Sequence, residues 1–107
     1  MSLLRRNWFH ILVALAERDV HGSGIARDVA EQTADSITLW PATLYRTLDD
    51  MVSAGLIEEL KGDRHPEGQS GKRRYYRATA KGHKELRVAA RQMAGWAGLA
   101  ERRLENR

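Results

Sequence analysis

Apolar residues at Trp8, Ile11, Leu12 and Leu15 recur at the i, i+3, i+4, i+7 spacing of one helix face and predict a first helix over about Arg6 to Glu17. The stretch Asp19 to Gly24 breaks that pattern with two glycines. Ile25 and Val29, with the small Ala26 and Ala30, then predict a second helix from about Ser23 to Thr33, and Ala34 to Thr38 make the next turn. Pro41 suits the first position of a third helix, where its missing N–H would have no partner anyway. Leu44, Leu48, Met51 and Val52 form the expected buried stripe of that helix. Thr43, Arg46, Thr47 and Asp50 are left facing out, with Tyr45 at the boundary and Gly55 as the stop.

The period then changes. Leu56 to Leu60 reads as a strand, Gly62 to Gly71 as a loop with three glycines and a proline, and Arg74 to Ala78 as the returning strand of a β-hairpin. Alternation along the second strand sends Arg73 and Tyr75 to one face and Arg74 and Tyr76 to the other, so one tyrosine is expected in the core. Thr79 can cap a last helix from about Ala80 to Glu105. Its apolar positions Leu86, Ala90, Met93, Ala97, Ala100 and Leu104 are spaced alternately by four and three, the spacing of a helix-packing seam. So long a helix cannot bury both faces in a small domain, which predicts a homodimer formed through it with help from the first helix. The alternative is that the helix folds back over its own domain. The fold class expected is therefore mainly α with a small β-hairpin. Residues 1–79 would form a winged helix-turn-helix domain and residues 80–107 a C-terminal dimerisation helix.

Charge sharpens this picture. The chain of 107 residues carries a formal net charge of +4, and its basic residues are unevenly placed. Between Lys61 and Arg91 there are ten Lys/Arg against three Asp/Glu, so this third is strongly basic and the remainder slightly acidic. Concentrated positive charge is the electrostatic footprint of a nucleic-acid binder. Its densest part, Gly71 to Thr79, holds four cations and two adjacent tyrosines, and it follows the third helix by way of the loop. Helix, basic hairpin and strand in that order are how a winged helix holds double-stranded DNA: the helix enters the major groove and the wing grips phosphates. The absence of cysteine excludes disulfides, thiolate catalysis and cysteine-ligated zinc. No apolar run approaches the roughly 20 residues that span a bilayer. Met1 to Arg6 lacks the order of a secretory signal, so a cytoplasmic protein without membrane contact is expected.

Four short motifs, His21-Gly22-Ser23-Gly24-Ile25, Ala42-Thr43-Leu44-Tyr45, Ala54-Gly55-Leu56-Ile57 and Gly71 to Arg77, resemble in order and spacing those of the PadR-like transcriptional regulators. The resemblance covers about Phe9 to Gly82. It implies a homodimeric DNA-binding regulator, commonly a repressor relieved by a small, often aromatic compound. The single helix after the wing is similar to the compact subgroup, which dimerises through that helix. The chain departs from the family pattern at Trp40, where Ser is usual, at Arg46, where Pro is frequent, and at Ser23, where an aromatic is common.

The candidate DNA-binding residues are Ser23, Thr43, Tyr45, Arg46, Arg64, Lys72, Arg73 and Arg74. Arg46 can pair with guanine through two parallel hydrogen bonds. Tyr45 matches the family tyrosine that touches DNA, or is a half-buried ring packed on the first helix. Lys72 and Arg73 rank above Arg74 as phosphate contacts. Ser23, near a helix start, either binds a phosphate or caps its own helix. Trp96 lies on the seam side of the last helix, and in some compact relatives paired tryptophans there sandwich flat aromatic ligands. Such a site needs an apolar gap about one ring thick; otherwise Trp96 anchors the interface. Trp8 could share that pocket or belong to the core.

No cofactor, metal or catalytic residue is expected. The four histidines are scattered without i, i+4 spacing beside a carboxylate. Gly68 to Lys72 has too few residues between its glycines for a phosphate-binding loop, and Arg27 stands where a dinucleotide fingerprint needs its third glycine. The competing function is a winged-helix module that binds a protein rather than DNA, against which the wing cations speak.

Overall fold

In the computed structural model, residues 4–61 and 74–107 are described. The elements run α1 (Arg6–Ala14), β1 (Val20–His21), α2 (Gly22–Gln32), α3 (Pro41–Ser53), β2 (Ile57–Leu60), β3 (Tyr75–Ala78) and α4 (Ala80–Glu105). Three strands form one antiparallel sheet in the order β1-β3-β2. The expected loop Gly62 to Gly71 lies outside the described residues.

Helix α1 stops three residues before the expected Glu17. Leu15 is still buried in the core, but its backbone leaves helical geometry at φ −100°, ψ 5°. The chain turns there to bring Val20 and His21 alongside Tyr76 and Tyr75. Strand β1 is thus a third strand where a two-stranded hairpin was expected. Arg77 on β3 reinforces the pairing with a two-pronged ion pair to Asp19, Nε–Oδ1 3.1 Å and Nη2–Oδ2 2.9 Å.

Two helix ends close by the same motif with different residues. After α3, the Gly55 N–H donates to the Val52 carbonyl and the Leu56 N–H to the Met51 carbonyl, with Gly55 at φ 80°. After α2, the Asp35 N–H donates to the Ala30 carbonyl at 2.8 Å, and the left-handed positions are taken by Ala34 and Asp35 at φ 49° and 67°. Side-chain caps differ too. Thr79 accepts the Gly82 N–H at the start of α4, as its hydroxyl predicts. At the start of α2 the cap is His21, whose Nδ1 accepts the Gly24 N–H at 3.1 Å. Trp40, before α3, supplies no cap hydrogen bond and is 70% exposed.

The core joins Ile11 and Leu12 of α1, Ile25 and Val29 of α2, Leu44, Leu48 and Met51 of α3, and Ile57, Tyr76 and Ala78 of the sheet. Val52, expected in the stripe of α3, is exposed instead. Helix α4 docks by its first turns only. A Cβ on Gly82 would strike the Leu56 carbonyl, which also accepts the Thr79 N–H, so this helix start requires glycine to sit against the turn before β2. Ala89 is buried two turns on and Leu86 packs on the core, whereas Met93, Trp96, Leu99 and Leu104 are exposed. The fold-back alternative is therefore not what this chain does: the second half of α4 extends past its own domain, and the molecule measures 56 × 27 × 23 Å. Among the described residues no helix is long and apolar enough to cross a membrane.

Candidate nucleic-acid interface

Helix α3 presents its polar side to solvent. Thr43, Arg46, Asp49 and Asp50 are exposed, and the Thr47 hydroxyl donates back to the Thr43 carbonyl at 2.8 Å. Arg46 makes no ion pair among the described residues, so its guanidinium is available to a base edge or phosphate. The opposite face carries Leu44, Leu48 and Met51 into the core, which fixes which residues point out. The neighbouring helix start holds Ser23, exposed, with its hydroxyl 3.0 Å from His21 Nδ1. Ser23 therefore does not cap α2 itself; it lies beside the histidine that does.

Tyr45 is half-buried and packs against the core, and its hydroxyl end presses on Gly22 at the start of α2. A side chain at Gly22 would occupy the space of the phenol, so glycine there and tyrosine at 45 are matched by shape. Tyr76 is the one wing tyrosine in the core cluster, as the alternation predicts, and Tyr75 is buried as well, on the other face. Tyr76 shares the inward face of the sheet with Ile57 and Ala78. Tyr75, on the other face, is covered by Leu60 opposite it and by the His21 ring, edge-on at 5.4 Å between centroids. Burial pushes the Tyr76 phenol up to about 12, with the nearby Arg74 guanidinium opposing the shift. Its hydroxyl is buried without a hydrogen-bond partner among the described residues.

Arg74 sits where the sheet's inward face meets α3. Its Nε and Nη2 donate to the two Glu59 oxygens at 3.2 and 3.0 Å, and Nη2 also donates to Asp49 Oδ1 at 3.1 Å. The guanidinium lies 5.0 Å from the Tyr45 ring centre and 5.7 Å from that of Tyr76. These hydrogen bonds, with Glu59 foremost, raise its pKa still further above an ordinary arginine's. Sequence reasoning included Arg74 but missed Asp49, Glu59 and Gly22. The one local signal was the four-residue step from Tyr45 to Asp49, which puts both on one side of α3. Arg64, Lys72 and Arg73 lie outside the described residues.

The two tryptophans singled out as ligand candidates are not brought together within one chain. Trp8, with Arg5 stacked 5.0 Å above its ring, borders a surface hollow of about 440 Å³ that Leu4, Leu56, Lys81 and Glu85 also line. Trp96 is eleven residues beyond Glu85, roughly 16 Å further along α4. It is half exposed.

A helix with an outward polar face, a three-stranded wing and a projecting last helix define the architecture. The profile of the transcriptional regulator PadR-like family matches residues 11–88, nearly all of this winged-helix domain. The chain belongs to the PadR-like family of transcriptional regulators. Among solved structures, this regulator is similar to a PadR family transcription regulator from Clostridium difficile, with a TM-score of 0.74 at 25% identity over 94% of this chain and 99% of that one. It is also similar in fold to a PadR-like transcriptional regulator from Bacillus cereus, with a TM-score of 0.74 at 21% identity over 91% and 89%. A protein of Lysinibacillus sphaericus of uncharacterised function is 31% identical over 91 residues, 85% of this regulator and 78% of the relative. The regulator has the winged-helix DNA-binding fold, and its family consists of transcription regulators rather than enzymes.

Proposed function

We infer that this regulator is a homodimeric, sequence-specific repressor that binds an operator in double-stranded DNA and releases it on binding a small aromatic compound. The observation that carries the DNA reading is the exposed face of α3, with Thr43 and Arg46, which has no ion pair among the described residues, held outward by the buried Leu44, Leu48 and Met51. Thr43 and Arg46 read base edges and adjoining phosphates, Ser23 meets the backbone at the start of α2, and Arg64, Lys72 and Arg73 supply the wing cations. Tyr45 contributes mainly by packing beneath this face. In this reading residues 1–79 bind DNA, and residues 80–107 join two copies.

The dimer is supported by the apolar surface that α4 leaves uncovered. Met93, Trp96 and Leu104 continue the side of the helix that Leu86 and Ala89 bury, with the small Ala90, Ala97 and Ala100 among them. A second α4 laid along this seam removes that surface from water and brings two copies of Trp96 near the two-fold axis. Paired indoles would offer flat apolar walls to an aromatic effector. Such a regulator works in the cytoplasm, where the chromosome is.

Titrating DNA from upstream of the regulator's own gene, by fluorescence anisotropy at two salt concentrations, tests the reading. Tight binding whose logarithm falls with log salt at a slope of roughly −5 to −8 is expected for a dimer neutralising several phosphates per subunit. A random-sequence competitor then measures specificity. No binding at low salt would overturn the DNA reading in favour of a protein-interaction module.

A further inference from the structure

Four side chains from three elements converge on one guanidinium. Tyr45 and Asp49 come from successive turns of α3, Glu59 from β2, and Tyr76 from β3, with Arg74 at the centre. The Arg74 carbonyl also accepts the Gly22 N–H at 3.1 Å, tying the same residue to the start of α2, where Tyr45 is already seated. Three of the five guanidinium N–H groups are thereby committed to two carboxylates, and the trio Arg74, Glu59 and Asp49 carries a net negative charge. A cation so occupied is a poor phosphate ligand. It is, however, a well-built brace between the recognition helix and the base of the wing.

We propose that Arg74 is a positioning residue for operator recognition, holding α3 and the β2–β3 wing at a fixed relative angle through Glu59 and Asp49, and does not itself contact phosphate. The inference rests on the DNA-binding reading above. Its physical basis is that a winged helix engages the duplex at two places at once. Operator binding requires base contacts from α3 and phosphate contacts from the wing in one register; binding to random DNA requires phosphates alone. Loosening the brace therefore penalises the operator complex more than the non-specific one, and leaves the number of neutralised phosphates unchanged. The fork geometry matters: lysine keeps the charge but cannot bridge Glu59 with two parallel bonds, reach Asp49 and lie flat between two rings.

The two roles predict opposite signs for the carboxylates. If Arg74 were a phosphate ligand, Glu59→Gln or Asp49→Asn would free it and remove a negative charge from the DNA face, strengthening binding. As a brace it loses its anchor in either variant, and operator binding weakens. The experiment measures, by anisotropy over a salt series, the affinity of wild type, Arg74→Lys, Glu59→Gln and Asp49→Asn. The probes are a duplex that the wild-type protein selects from a random library and one unselected duplex. Expected is a loss of about tenfold for the selected duplex in each variant, with affinity for the unselected duplex kept within about twofold and the salt slope unaltered. Asp49 is an exposed surface residue, so its variant stays informative even if Glu59→Gln melts at lower temperature. Unchanged or tighter operator binding in Asp49→Asn, or full operator affinity in Arg74→Lys, which keeps the charge a phosphate would use but not the fork the brace needs, would overturn the proposal. Failure of the underlying reading looks different: the wild type itself would then select no sequence and show no salt-dependent binding.

Discussion

At Ala34 an L-residue occupies the left-handed position that Gly55 fills after the next helix. The hydrogen bonds that close the two helices join equivalent positions, although after α2 the following residue, Asp35, is left-handed as well. A Cβ in that region costs about 1 kcal/mol, partly offset by the entropy glycine adds to the unfolded chain. Ala34→Gly is expected to stabilise the domain by about 0.5 kcal/mol, read as a higher denaturant midpoint at constant slope. Tyr76 offers a second residue-scale measurement, since burial moves its phenol from 10 to about 12. Below pH 10 both folded and unfolded chains hold the proton. Between pH 10 and 12 the unfolded chain releases it while the folded chain keeps it, so stability falls as pH rises, by roughly 2–3 kcal/mol in all. An absorbance titration should show a late tyrosine ionisation step near pH 12, and Tyr76→Phe should remove both that step and the alkaline loss.

Among the elements, α4 has two characters along its length. Its first turns are shaped by Gly82 against the Leu56 carbonyl, and its second half touches little of its own chain. Glycine therefore means opposite things at its two ends. Gly82→Ala must push the helix off the turn before β2 and should destabilise by about 1–3 kcal/mol. A Cβ at Gly95 meets nothing within 4 Å, and nine residues separate it from Leu104, which places it on the opposite side of the helix from the seam. Gly95→Ala should thus add about 1 kcal/mol of helix stability without weakening the dimer. Thermal melts of the two variants check the pair, and a loss of dimer in Gly95→Ala would mean that the helices meet on another face. The heptad spacing marked this helix and its free stripe in the sequence, because a period of 3.5 survives in any environment. Where the helix leaves its own domain was not readable, since Ala89 and Ala90 look alike until the turn before β2 is set beneath one of them.

For the whole molecule, the proposed dimer would link the DNA face to the free half of α4. A protein whose folding includes association melts at a temperature that rises with its concentration. Wild type should show that dependence, whereas Met93→Glu, which sets like charges across the seam, should melt independently of concentration, sediment as a monomer and lose most operator affinity. Retained dimer in Met93→Glu would place the interface elsewhere.

Much of this architecture was legible because it is local. The stripes of α1, α2 and α3, Pro41 at a helix start, Gly55 at a helix end and the Thr79 cap each depend on residues within a turn or two, and so does the candidate face carrying Thr43 and Arg46. The sequence by itself therefore determined the order of helices and wing, the side of α3 that faces out and the concentration of charge after Lys61. Only the tertiary structure decided the rest. Strand β1 is two residues long, too short to have a period, and exists because β3 lies beside it. It ends α1 early, hands the α2 cap to His21 and covers Tyr75. The fate of Arg74 was likewise unreadable: its carboxylates stand 15 and 25 residues away, and which cation is free for DNA depends on distances that appear only when α3 and the sheet are packed.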